Sequence, residues 1–448
     1  MRQIFLVLAL SLCCLNSFCQ EIVWTIDACI DYALNNNISI KNLNNKESLV
    51  KTSILEARSE FLPTITAGVN YNLSSGRVLD QTTYNYIDHS TIGNSNISIT
   101  GSEILFSGLE RYYRIKLTRK EYDAFVMDKL AQRKNICRNV VSAYYNVLCA
   151  DKNIETAQVV ERLIEEQLSV IETQVDAGMK TEADLLQIKS QLCSAQNDIV
   201  FANNMKKMAL LELGQLMDIA DYASMRLHED GEIDIQQIHN VDDDIINFLL
   251  HHFPECRAEK LRVESAQYAV KVAKSSYYPT LSLSGSYGSN YSSARQKKLS
   301  LENNINQNIK YPPIEQWVDN SNAYISLTLQ IPIFNGMRVK NSVRRAEVAV
   351  RDAYYTMSLV EMQLTKEFEQ IRNDYEAAYQ RYESASEQLK YTYEVLRQIK
   401  DQYECGKCDY LTWSNALVEY AKAQYEANNT KYTLISTNKL LQTYYDIN

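Results

Sequence analysis

Cys405-Gly406-Lys407-Cys408 has the spacing of a redox or metal-binding motif. Thiol–disulfide catalysis at this spacing works when the motif opens a helix in a β–α unit, where the helix end lowers one thiol's pKa. Here helical periodicity runs up to the motif and resumes after it, so the motif sits in a turn between two helices and no redox catalysis is expected. Two states stay open for it: a pair of free thiols, or a local disulfide between Cys405 and Cys408 in an oxidising compartment. The histidines offer no other chemistry. His251-His252 has no neighbouring ligand to complete a metal site, and His89, His228 and His239 are scattered through polar stretches. With five His, no Ser/His/Asp order and no Gly-rich phosphate loop, the residues assemble no catalytic, cofactor or metal site. The expectation is a non-enzymatic protein without a cofactor.

The charge narrows the partners. The formal net charge is −9 and the basic residues form no cluster, which argues against nucleic acid, since phosphate binding relies on Lys and Arg. Mean hydropathy is −0.32, and past the N-terminus no apolar run approaches the roughly 20 residues that a membrane helix needs. The N-terminus itself reads as a secretory signal over residues 1–19. Arg2 precedes the apolar run Ile4–Leu10, and Ser17 and Cys19 are the small residues before a cut at Gln20. None of Cys13, Cys14 and Cys19 combines Leu three places before with a small residue immediately before, as lipidation requires. Seven cysteines then remain: Cys29, Cys137, Cys149, Cys193, Cys256, Cys405 and Cys408. An odd number, mostly inside helical patterns, is not a disulfide framework.

The elements that would carry any site are long. Only 12 Gly and 6 Pro in 448 residues favour extended helices. Thr25 caps a short helix through Leu34, Asn35-Asn36-Asn37 breaks it, and a second helix runs from about 38 to 61, ended by Pro63. Period-two alternation follows over 64–74, with Ile65, Ala67, Val69, Tyr71 and Leu73 on one face and Thr66, Gly68, Asn70 and Asn72 on the other. Residues 75–94 read as a polar loop. A second strand covers 95–106, and its apolar parity changes at Glu103-Ile104, where a bulge is expected. Residues 109–176 contain no Pro or Gly and keep helical spacing, which gives one helix roughly 100 Å long. Gly178 ends it, Thr181 or Asp184 can cap a return helix over 182–217, and an acidic linker occupies 218–245. The order then restarts: a helix from about 255 to 276, strands over 280–290 and 322–334, a polar loop over 289–321 between them, a long helix over 337–404, a break at Gly406 and a last helix over 410–445. Tyr144-Tyr145, Tyr354-Tyr355 and Tyr444-Tyr445 read as packing between helices.

This is a tandem duplication, with residues 20–217 and 246–448 as its copies. Ile104-Leu105-Phe106-Ser107-Gly108 recurs as Ile331-Pro332-Ile333-Phe334-Asn335-Gly336. Phe106 and Phe334 are 228 positions apart, and so are Gly178 and Gly406. Pro63 and Pro279 are 216 apart, so the 12-residue excess of the second copy lies between its strands, where a longer connection is easily tolerated.

Four strands of about 10 residues match tilted membrane-crossing strands with lipid on one face and water on the other, and equally a soluble sheet packed on a core with its other face wet; the secretion signal and the roughly 100 Å helices favour the first. Four cannot close a barrel, and open edges are not tolerated in lipid, so several chains would have to share one. In this order and spacing the chain resembles the TolC-like outer-membrane efflux proteins over nearly its whole mature length. The matching residues are Trp24-Thr25-Ile26-Asp27-Ala28, Tyr32-Ala33-Leu34, Ala57-Arg58 before Leu62-Pro63, Ala273 before Tyr278-Pro279, the two Phe-x-Gly phrases, and the Gly178 and Gly406 turns.

The resemblance implies an α+β membrane protein. Three chains share a 12-stranded β-barrel in the outer membrane of a Gram-negative bacterium, continued by a long α-helical barrel through the periplasm and girdled by 218–245. It implies a homotrimer in outer-membrane lipid, a periplasmic adaptor (membrane fusion protein), and an inner-membrane RND, ABC or MFS transporter as partners. Phe106, Gly108, Phe334 and Gly336 would mark the junction between barrel and tunnel. At the periplasmic tip, Asp184 and Tyr403 match the family's gate acid and tyrosine. The basic gate position falls on Cys408, beside Lys407, and the ring-aspartate positions fall on Thr412 and Asn415. A lock at this tip would therefore use different bonds. The competing reading is a secreted periplasmic coiled-coil scaffold or adaptor without a pore.

Overall fold

The computed structural model describes residues 23–79, 84, 86–229, 252–300 and 306–445. The expected signal segment and most of the linker lie outside them, as does His251. The chain opens with β1 (Val23–Trp24), α1 (Ile26–Asn36) and α2 (Ile38–Ser59). Thr25 caps α1, its hydroxyl accepting from the Ala28 amide at 3.3 Å. The first copy continues with β2 (Thr64–Leu79), β3 (Tyr86–Ser107), α3 (Glu110–Asp176) and α4 (Glu182–Met217). A short β4 (Arg226–Leu227) pairs in parallel with β1. The second copy has α5 (Pro254–Ser275), β5 (Thr280–Ser292), β6 (Gln296–Ser300), β7 (Asn306–Lys310), α6 (Pro313–Asp319), β8 (Asn322–Gln330), α7 (Arg338–Glu404) and α8 (Tyr410–Tyr445). The paired helices have equal lengths in the two copies, 67 residues for α3 and α7 and 36 for α4 and α8.

Three sequence expectations are corrected. Residues 75–94 are not mainly loop, because β2 and β3 extend into them as a paired hairpin, with a register shift between Gly76 and Val78. Segment 289–321 is not one polar loop, because it holds the β6–β7 hairpin and α6. The last strand does not reach 334. It stops at Gln330, opposite Thr280, where its partner β5 begins, and Pro332 has no amide to extend the ladder.

The chain divides into two compact units, one of residues 47–125 and 258–358, the other of the remaining residues. The first unit holds the main sheet, four antiparallel strands in the order β2-β3-β5-β8. In the second unit, one core gathers Ile26, Cys29, Val140, Tyr144, Leu213 and Met217. Tyr144 is fully buried and its hydroxyl donates to the His228 and Trp24 carbonyls at 2.5 and 3.1 Å. Another core packs Tyr444 against Phe253 and Phe368, and the Arg138 guanidinium lies 3.9 Å from the Tyr444 ring centre. Tyr144, Tyr145 and Tyr444 are therefore packing residues as expected. Tyr354 and Tyr355 are 44% and 69% exposed in the single chain, where the Tyr354 hydroxyl on α7 accepts from Gln267 of α5 at 3.1 Å.

Candidate functional site

The sheet has two chemically opposite faces, and the register shows it. Directly paired residues share a face. Val69 pairs with Ile97, Ala67 with Ile99, Ile99 with Tyr287, and Leu283 with Leu327. The other face is a run of small polar side chains: Thr66 with Thr100, Thr100 with Ser286, Ser102 with Ser284, and Ser284 with Ser326. Hydroxyls bridge strands there, with Thr64 Oγ1 and Ser102 Oγ 2.8 Å apart. Much of the apolar face is exposed among the described residues. Val69, Leu73, Ile325 and Leu327 are 74%, 68%, 83% and 63% exposed. An exposed apolar sheet face of this extent marks a surface that meets lipid or another chain.

The two junctions repeat their backbone almost angle for angle. Gly108 and Leu109 have φ of +62° and +64°, and Gly336 and Met337 have +63° and +64°. Two successive left-handed residues turn the chain from strand direction into helix direction. Glycine adopts this conformation freely and Leu or Met does not. The carbonyls of Leu109 and Met337 then accept the first helical bonds, from Tyr113 at 3.0 Å and Asn341 at 2.9 Å. The expected bulge is present between Ile104 and Phe106. Phe106 stays in the ladder opposite Leu281, whereas Phe334 lies beyond the last strand and is 79% exposed.

The first junction also has a clamp that sequence reasoning missed. Arg111, in the first turn of α3, donates to Glu103 Oε1 and to the Ile104 carbonyl, both at 2.7 Å, and its guanidinium lies 5.5 Å from the Phe61 ring centre. Arg114 pairs with Glu60 at 3.4 Å and with Glu110. The only signal in the sequence is the opposite charges eight positions apart across the phrase.

The tips of the two helix pairs repeat as faithfully. Gly178 and Gly406 both have φ of +72°. Their amides donate to Val175 and Tyr403 at 2.9 Å, and the next amides donate to Gln174 and Gln402 at 2.8 Å. That double bond is the Schellman closure of a helix C-terminus. The return helices then begin with a capping pair whose members have exchanged places. In the first copy Thr181 caps and Asp184 reaches back, its Oδ2 accepting from the Thr181 amide at 3.0 Å and hydroxyl at 2.8 Å. In the second copy Asp409 caps and Thr412 is three residues on, giving its amide to Asp409 Oδ1 at 3.0 Å and its hydroxyl at 2.5 Å. These bonds hold both carboxyl groups below the usual aspartate range.

Beneath the turns lies an aromatic core. Tyr403 stacks with Trp413 at 6.2 Å between ring centres and meets Tyr410 edge-on at 6.4 Å. Ile164, Ile171, Ile188 and Leu417 enclose them. The Tyr410 hydroxyl donates to Gln191 Oε1, and Gln191 Nε2 donates to Ser414 Oγ, which ties α8 to α4. Burial pushes the Tyr403 and Tyr410 hydroxyls above the ordinary tyrosine pKa. Lys180 sits 5.7 Å from the Tyr403 ring centre. Of the tip residues read from the sequence, Tyr403 is in this core and Asp184 is half-buried at its rim, while Lys407 is exposed. Thr412 and Asn415 line a shallow groove with Val395, Ile399 and Glu419. Cys405 is exposed and Cys408 half-buried, both free thiols here, with Cys408 Sγ 3.6 Å from the Ile399 carbonyl oxygen. Among the described residues no group of three or more His, Cys, Asp or Glu could hold a metal ion, and no helix is long and apolar enough to cross a membrane.

Comparison with known proteins gives the same architecture. The sequence profile of the family described as "Outer membrane efflux protein" matches residues 29–217 and 245–444. The chain is similar to "Toxin and drug export protein A" of Aggregatibacter actinomycetemcomitans, 21% identical over 412 residues, covering 90% of this chain and 84% of the relative. It is also similar to "Outer membrane protein TolC" of Vibrio cholerae, 22% identical over 345 residues, covering 73% and 68%. Among solved structures, the CmeC outer membrane channel of Campylobacter jejuni superposes with a TM-score of 0.77 at 16% identity, covering 94% of this chain and 85% of that one.

Proposed function

The chain belongs to the outer membrane efflux protein family, and on that footing we propose that three copies close one barrel and serve as the exit duct of a tripartite efflux pump or type I secretion system. Membership makes the protein an outer-membrane efflux channel with a periplasmic helical extension, and not an enzyme. The trimer, the adaptor and the inner-membrane RND, ABC or MFS transporter are the further reading.

One observation carries it. The four-stranded sheet is apolar on one face and lined with Ser, Thr, Asn and Gly on the other, and its edges are β2 and β8. All its neighbouring strands are antiparallel, so β8 of one copy can continue onto β2 of the next in the same sense. Closure removes edges that lipid does not tolerate and turns the hydroxyl face into a wet lumen. Three copies of four strands make twelve, above the roughly eight at which side chains still fill the interior.

The tip is the periplasmic entrance in this reading. Its resting packing uses the Tyr403–Tyr410–Trp413 core and the Gln191 bridge, in place of a basic residue at Cys408. The test is reconstitution of the full chain in planar bilayers. A heat-modifiable trimer with stepwise conductance is the expected result. A soluble monomer in the periplasmic fraction with no conductance would favour the pore-free scaffold.

A further inference from the structure

Helix α6 has its polarity inside out. Its inward residues are polar. Gln316 is fully buried, its Oε1 accepting from the Ser292 amide and its Nε2 donating to the Ser292 and Tyr311 carbonyls, at 3.1, 3.1 and 2.9 Å. One turn on, Asn320 Nδ2 donates to the Asn290 carbonyl at 2.7 Å. Its outward stripe is apolar, Ile314, Val318 and Trp317 being 73%, 69% and 36% exposed, and it is flanked by the exposed acids Glu315 and Asp319. A helix packed on a protein in water turns its apolar stripe inward. The reverse arrangement is stable where the outward surroundings are apolar.

The register says which surroundings these are. Ser289 Oγ donates to the Trp317 carbonyl at 2.6 Å, and the Trp317 ring meets Tyr291 edge-on at 6.5 Å. Ser289 pairs with Ile97, and Ile97 with Val69. Helix α6 therefore sits along the free edge of β5 beyond the start of β8, with Trp317 on the apolar side of the sheet and not on the hydroxyl side. It follows the β6–β7 hairpin and leads into the start of β8, the end of the sheet away from the Gly108 and Gly336 junctions. Tyr71 and Tyr287, on the same apolar face, are 59% and 60% exposed. Trp and Tyr at this height match the aromatic girdle at a membrane–water boundary.

We propose that α6 is an interfacial helix that rests in the outer leaflet of the outer membrane, with Ile314, Trp317 and Val318 in contact with lipid at the headgroup–acyl boundary. The proposal rests on the sheet spanning the membrane, which conductance of the same preparation scores separately. The full chain is reconstituted in vesicles of phosphatidylglycerol and phosphatidylcholine whose acyl chains are brominated near the carbonyls or near the chain ends. Tryptophan emission is read for the unmodified chain, for Trp317→Phe, and for Ile314→Trp, which adds an indole on the exposed face. The expected result is quenching by the shallow bromines that is lost in Trp317→Phe and enlarged in Ile314→Trp. Equal quenching in all three chains would overturn the proposal. So would quenching of Trp317 by aqueous iodide in place of bromine, which is a helix in water. Protection from both quenchers in conducting trimers would also overturn it, because a neighbouring copy would then cover the face.

Discussion

Gly108 and Gly336 have the same backbone and different surroundings, so alanine at each separates two costs. Both sit at φ near +62°, where any residue with a Cβ loses roughly 1–2 kcal/mol. At Gly336 an added Cβ would meet nothing within 4 Å. At Gly108 it would come to 2.6 Å from the Ser275 carbonyl oxygen and 2.7 Å from Tyr278 Cβ. That carbonyl already accepts from the Tyr278 amide at 3.0 Å, so it cannot move aside without breaking the end of α5. Forcing extra volume into a packed site adds about 1–3 kcal/mol. Gly336→Ala should therefore cost about 1–2 kcal/mol and Gly108→Ala about 2–5 kcal/mol. The assay is the temperature at which detergent-resistant oligomers dissociate, scanned at one rate because such unfolding is kinetically controlled. Gly108→Ala should fall clearly below Gly336→Ala. Adding Tyr278→Ala should not rescue it, since the clashing Cβ remains. Equal midpoints, or a lower one for Gly336→Ala, would refute the reasoning.

The other predictions follow from the faces and the tip. Ile325→Lys, on the apolar face, should cost about 2–4 kcal/mol of membrane-inserted stability if it lies near the midplane, and less near a boundary. Ser326→Lys, one residue on, should assemble normally and shift the reversal potential toward anions. Trp413, 3% exposed between Tyr403 and Tyr410, should cost about 3–5 kcal/mol as Trp413→Ala, read as faster hydrogen exchange in α8. Thr181→Ala removes the first-copy cap and should cost about 1 kcal/mol, read as faster exchange of the Asp184 amide. The pH sign at the tip is fixed by the carboxylates. Asp184 and Asp409 have pKa values held below 3.8, so their contribution is present at neutral pH and is lost as pH falls below that value. Exchange protection of the Thr181 and Thr412 amides, which these carboxylates accept from, should drop there and not on the alkaline side.

The long elements were legible because their ends carry strong local chemistry. Thr181 and Asp184 start α4, Gly178 and Gly406 stop α3 and α7, and the 228-residue spacing fixes one copy from the other. The bulge at Ile104 showed as a change of parity. What the sequence hid is set by partners in space. Ser74-Ser75-Gly76 and Gly93-Asn94 look like turn formers, yet the β2–β3 ladder, which pairs Ser74 with Ile92 and Gly93 with Leu73, keeps them extended. Ile331–Phe334 look like strand, yet among the described residues they have no ladder partner. Helix α6 was unreadable because its one buried residue is Gln316, the reverse of the pattern that identifies a helix on a soluble core. At the tip, resemblance marked Thr412 as a lost ring aspartate. Its place opposite Asp409 shows a capping residue, the mirror of Thr181 and Asp184.

The central claim is that adjacent residues of one strand face water and lipid. Ser326→Cys and Leu327→Cys test it most directly, as trimers in a planar bilayer treated with a charged, membrane-impermeant thiol reagent, with the parent protein treated in parallel. The account predicts a stepwise change in single-channel conductance for Ser326→Cys and none for Leu327→Cys. Modification of Leu327→Cys alone, or a protein that never conducts, would contradict it.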